Sequence, residues 1–114
     1  MKFNIVSTQT HPSGKTYEVT TGEQTVSVVF TVHALERTTR WRLTEQTVLR
    51  AVLFPEEVVR GHRDRFIAHR RTRGHVVRVV YEYEGVTPII ITVYYPFADR
   101  YFQGGGTYED RILA

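Results

Sequence analysis

Cysteine is absent from all 114 residues, which excludes a disulfide framework, an iron–sulfur cluster, a cysteine-based zinc site and thiol catalysis. No run of eighteen apolar residues occurs, so neither a membrane-spanning helix nor a membrane partner is expected. The first residues, MKFNIVSTQT, carry one lysine and a broken apolar stretch, unlike a secretory signal. Cytoplasm is therefore the expected location. Lysine is scarce as well, with two residues against thirteen arginines. What remains is the balance of an ordinary globule, 41% hydrophobic and 24% charged. The length predicts a single domain over residues 1–114, held by an apolar core alone.

The charge is unevenly placed. Residues 33–78 hold eleven arginines against five acids (Glu36, Glu45, Glu56, Glu57 and Asp64). That segment is therefore +6 in a chain of net charge +3, and the remainder is −3. Arginine suits planar, bidentate recognition of phosphate. A codon preference accounts for arginine over lysine but not for the clustering. The basic middle reads as a surface for nucleic acid or an acidic partner.

Phe3 to Ser7 and Lys15 to Thr20 read as short strands about a turn at His11-Pro12-Ser13-Gly14. Thr25 to Phe30, rich in β-branched residues, is a stronger strand. Then the period changes. Thr31 can N-cap a helix over VHALERTTR, with Phe30 and Leu35 as a hydrophobic staple. Thr44 N-caps a second helix whose buried stripe is Val48, Leu49, Val52 and Leu53, and Pro55 ends it. After Pro55 come strands at Val58–Arg60, Arg65–Arg71, Val76–Glu84 and Pro88–Tyr95, with short glycine-containing gaps that suit antiparallel hairpins. PIIITVYY is apolar on both faces and belongs in the middle of the sheet. Residues 97–114 read as an irregular tail. The expected fold is α+β: two helices packed on one face of an antiparallel sheet of about four to six strands.

The ordered segments HALERTTRW, FPEEV, DRFIAHRR, VVRVVYEYEG, PIIITVYYP and GGGTYEDRIL resemble the RelE/ParE-like toxin superfamily of bacterial toxin–antitoxin modules. More narrowly, they resemble a branch of small domains beginning with a His-Ala-x-x-Arg helix. The resemblance covers roughly residues 28–112 and leaves 1–22 outside, as an extra hairpin or an interface element. It implies a small sheet on two helices with an open, concave basic face. It further implies an endoribonuclease or translation inhibitor acting on mRNA, often ribosome-associated, and silenced by a cognate antitoxin. His33, Arg37 and Arg78 are the residues that match the branch pattern.

Metal-free RNA cleavage needs a base for the 2′-OH proton, a cation for the phosphorane and an acid for the leaving 5′-oxygen. His33 and Arg37 are four apart on one helical face, and Arg40 follows within a turn. The positive end of the helix dipole disfavours imidazolium at His33. Alternatively, His33 packs at the helix start and Arg37 pairs with a nearby acid. Strand alternation places Arg65, Ile67, His69 and Arg71 on one face, and Arg78, Glu82 and Glu84 together on the next strand. Arg78 would then stabilise the phosphorane while His69 or Glu82 moves a proton, and Arg78→Ala would cost cleavage far more than stability. Equally, Arg78 and Glu82 form an ion pair on a solvated face, worth little.

The catalytic candidates are thus His33, Arg37, His69 and Arg78. The nucleic-acid contacts expected around them are Arg40, Arg70, Arg71, Arg73, Tyr94 and Arg100. Tyr94, Tyr95, Tyr101 and Phe102 either stack on unpaired bases or belong to the core. Gly104-Gly105-Gly106 lacks the GK[ST] of a phosphate loop and reads as a hinge. The five histidines (11, 33, 62, 69 and 75) have no metal-ligand spacing, so neither metal nor cofactor is expected. A non-catalytic module that docks nucleic acid or protein is the rival reading, and a structural oligomer built through the first strands is a third.

Overall fold

The computed structural model describes residues 2–98, 102–103 and 107–108. Three strands open the chain: β1 (Asn4–His11), β2 (Gly14–Thr21) and β3 (Gln24–Thr31). They form an antiparallel meander in which Ile5 faces Val19 and Val19 faces Val26. Helices α1 (Val32–Arg40) and α2 (Glu45–Leu53) follow. Both predicted caps are in place: Thr31 Oγ1 accepts from Ala34 N, and Thr44 Oγ1 from Thr47 N. A second meander then runs through β4 (Glu57–Arg60), β5 (Phe66–Thr72), β6 (His75–Glu84) and β7 (Thr87–Tyr94).

The two meanders meet in one seven-stranded sheet of order β1-β2-β3-β7-β6-β5-β4. This overturns the expectation of an antiparallel sheet of four to six strands. The sheet is mixed, because β3 and β7 lie parallel, Val29 beside Ile89 and Phe30 beside Ile90. Short gaps reveal hairpins, whereas a parallel pair joined through a long crossover leaves no local mark. The joint forms where both strands are richest in β-branched residues, and β7 takes the central position that its apolar run predicts. β1 and β2 form a hairpin that continues the sheet, the first of the two alternatives that the sequence left open for this stretch.

The main core lies between the helices and one sheet face. Val48, Leu49 and Ala51 of α2 and Ala34 of α1 join Val28, Phe30, Ala68, Val77, Val79, Ile90 and Val93. The first meander is tied to α2 by Glu45, which pairs with Lys15 Nζ at 2.8 Å and accepts from the Tyr17 hydroxyl. Burial pushes the Glu45 carboxyl up, but those two hydrogen bonds and the Lys15 charge outweigh it and hold the group below its ordinary value.

Gly14 lies close against the backbone of β3. Its φ is +147°, and a Cβ there would meet the Phe30 carbonyl oxygen at 1.9 Å. Gly14→Ala is expected to lower unfolding stability by about 2–3 kcal/mol through strain and steric clash. Urea denaturation reads this directly, and an unchanged midpoint would separate residues 1–22 from the cooperative fold.

The tail is not wholly irregular. β8 (Phe102–Gln103) and β9 (Thr107–Tyr108) pair antiparallel, consistent with the strand preference of Phe, Thr and Tyr. The hinge at 104–106, Tyr101 and Arg100 lie outside the described residues. Among the described residues no helix is long and apolar enough to cross a membrane.

Candidate functional site

β7 outruns its parallel partner, and α1 takes over where β3 stops. Thr31 Oγ1 donates to the Ile90 carbonyl at 2.8 Å, and Trp41 Nε1 to the Val93 carbonyl at 2.9 Å. Side chains of the helix caps thus bond directly to carbonyls of the central strand and tie α1 to β7. This docking also fixes His33. The ring is exposed, and its Nε2 lies 3.1 Å from Thr92 Oγ1.

Thr92 belongs to the sheet face opposite the helix-packed core. The rows there are set by strand register. Ile67, Val80 and Thr92 form one row, and His69, Arg78 and Tyr94 form the next. His33 therefore contacts a residue one row from the Arg78–Tyr94 pair. Three of the four proposed catalytic residues, from three separate elements, are brought to one region. Arg37 sits one turn beyond His33, half-buried, and its side chain makes no hydrogen bond or ion pair among the described residues. The alternative of Arg37 paired with an acid is not what forms.

The reverse face is not the open polar surface expected of it. His69 is 0% exposed and Arg78 1% exposed, alongside fully buried Ile67 and Val76. Strand alternation assigned both residues to the right face, but periodicity alone cannot tell a solvated face from a second buried one. Burial, and then the charge of Arg78, lower the His69 imidazole to about 3. It is neutral near pH 7 and so has no imidazolium proton to give up as a general acid. Glu82 does not pair with Arg78; it lies 3.7 Å from Arg65.

That shift carries a pH dependence. His69 titrates near 6.5 when unfolded and near 3 when folded, so the unfolded chain binds the extra proton between those values. Stability is full above pH 6.5 and falls as pH drops toward 3, by up to ~1.4 kcal/mol per pH unit from this group. Urea midpoints compared at pH 7 and pH 4 should fall less in His69→Leu than in the parent. Equal losses would dismiss the buried imidazole as the cause.

The expected nucleic-acid contacts divide. Arg40 is exposed at the end of α1, bordering a shallow depression lined by Val32, Leu35, Glu36 and Thr39. Arg73 is exposed in the β5–β6 turn. Arg70 instead donates Nη1 to the Phe54 carbonyl at 2.7 Å, and Arg71 lies 3.8 Å from Glu56. Both serve the fold where β5 passes the end of α2. Tyr94 is half-buried opposite Arg78. Arg100 lies outside the described residues.

Two partners in this region escaped the sequence reading. Thr92 orients His33, and Trp41 anchors the end of α1. Thr92 did leave a signal, being the one hydroxyl inside the aliphatic part of PIIITVYY. Trp41 left none beyond being the single tryptophan.

Residues 30–95, more than half of the chain, match the family model described as Domain of unknown function (DUF4258). No curated protein and no solved structure matches the chain.

Proposed function

We propose a function for this chain, which belongs to the DUF4258 family, from the site that the family segment builds: metal-independent cleavage of RNA. In this reading the protein is the toxin of a toxin–antitoxin module, an endoribonuclease or translation inhibitor. It acts on mRNA in the cytoplasm and is held inactive by a cognate antitoxin. One observation carries the proposal. An exposed helix imidazole, His33, is oriented by Thr92 at 3.1 Å, with the uncommitted guanidinium of Arg37 one turn away.

The chemistry follows from those two groups. In the tautomer whose Nε2 donates to Thr92 Oγ1, Nδ1 is an acceptor open to a ribose 2′-OH. His33 takes that proton as the 2′-oxygen bonds to phosphorus. Arg37 offsets the charge that grows on the phosphorane oxygens. The bond from phosphorus to the 5′-oxygen then breaks, and solvent water protonates the leaving oxygen. The products are a 2′,3′-cyclic phosphate and a 5′-hydroxyl. His69 and Arg78 are buried too deeply to touch substrate, so their part is to position Tyr94 and the Thr92 row.

That same burial favours the second reading, a non-catalytic module whose exposed arginines dock nucleic acid or protein. Labelled mRNA followed in a bacterial translation extract decides between them. Cyclic-phosphate-ended fragments from the parent protein support the nuclease. Intact message, together with salt-dependent RNA binding, supports the module.

A further inference from the structure

A second feature lies at the far end of β7, on the face that carries the helices. Beyond Tyr94 the chain stays beside β6: Val76 N donates to the Pro96 carbonyl at 2.9 Å, and Ala98 N to the Gly74 carbonyl at 2.8 Å. This holds His75 and Phe97 opposite one another across an antiparallel bridge. Tyr95, two residues before Phe97, falls on the same face. The His75 ring stacks on Tyr95 at 4.4 Å with an interplanar angle of 12°, and lies 4.6 Å from the Phe97 ring at 34°.

The three rings differ in what they have left to offer. Tyr95 packs against the main core and His75 is half-buried, whereas Phe97 is 60% exposed. Backbone bonds on both sides and the ring behind it fix Phe97 in place, so a ligand meeting it finds little side-chain freedom left to lose. The adjoining turn supplies charge. From Arg70 to His75 there are three arginines and no acid. Arg70 and Arg71 are engaged with Phe54 and Glu56. Arg73 is exposed and makes no side-chain bond among the described residues. A preset aromatic face beside an uncommitted cation fits a flat ring attached to a phosphate. Duplex bases have their faces covered by neighbours, which leaves the unpaired nucleotide.

We propose that His75, Tyr95 and Phe97 form a stacking platform for one unpaired RNA base, with Arg73 meeting its phosphate. The inference rests on the reading of the chain as an RNA-acting protein, but it concerns binding and not cleavage. Tyr95 and its neighbour Tyr94 point to opposite faces of the sheet, so the platform lies on the other face from the Arg78–Tyr94 row.

The test uses a labelled single-stranded oligonucleotide with 2′-O-methyl riboses, which cannot be cleaved through the 2′-oxygen. An abasic version of the same backbone serves as competitor. By fluorescence anisotropy the parent protein is expected to prefer the base-bearing strand by roughly tenfold. Phe97→Ala should erase that preference and Phe97→Trp keep it. Arg73→Ala should weaken both strands alike and flatten the salt dependence. Equal affinity of the parent for the two strands overturns the platform, as does a preference that survives Phe97→Ala, or binding to neither. A preference retained by a protein that cleaves no RNA leaves the platform standing and removes the nuclease.

Discussion

His33→Ala is expected to reduce RNA cleavage by roughly 10²- to 10⁴-fold, the range that a positioned general base supplies, while the protein remains folded. The ring is exposed and its one described side-chain contact is with Thr92, so little packing is lost. Thr92→Val probes the orientation separately. It keeps the shape of the strand and deletes the hydroxyl, so the imidazole stays but loses its anchor. A smaller fall in rate than His33→Ala, with unchanged RNA affinity, is the expected result. If His33→Ala turns over at the parental rate, RNA cleavage at this site is refuted.

Arg78→Ala is expected to act chiefly on the fold, reversing what the sequence alone suggests. The side chain is among the largest fully buried ones in the protein, at 1% exposure between His69 and Tyr94. Truncation removes the stem packing and leaves a cavity, for about 3–5 kcal/mol of unfolding stability by analogy with large-to-small core changes. Arg78→Met fills much of the same space and separates charge from volume. Without the guanidinium, His69 should titrate higher than about 3, because a neighbouring cation no longer opposes its protonation. It should remain below 6.5, because burial is the larger cause. Histidine ring resonances followed by NMR through a pH titration measure this. An unmoved His69 would mean that Arg78 does not act on it through charge.

Much of this architecture is legible in local pattern. Thr31 and Thr44 announce their helices because a cap is a local bond between a side chain and the backbone a few residues on. The alternation in RFIAHRR and VVRVVYEY assigns each residue to a sheet face because strand geometry has a period of two. The doubly apolar run of β7 marks a central strand. What stays hidden is whatever depends on distant segments meeting. The parallel pairing of β3 with β7 is one such case. The burial of His69 and Arg78 is another, since a charged residue on an alternating strand looks solvent-facing until its surroundings are known. The site itself was half visible. His33 and Arg37 show in helical spacing, but the partner of His33 lies 59 residues away, and no spacing rule connects them.

The joint between the meanders also bears on how the chain is made. Emerging from the ribosome, β1, β2 and β3 can pair as soon as they are synthesised, each with its neighbour. The outer edge of β3 must wait for β7, with both helices and three strands produced in between. Throughout that interval a strand reading TVSVVF presents unpaired backbone groups and β-branched side chains, the combination that invites pairing with another nascent chain. α1 follows at once and its N-cap lies at the end of β3, so the first element to fold after the open strand is also the nearest. Chains interrupted before Thr87 would keep that edge open permanently. The protein's exposure to misassembly is therefore set by the time needed to finish its fourth-ranked, central strand.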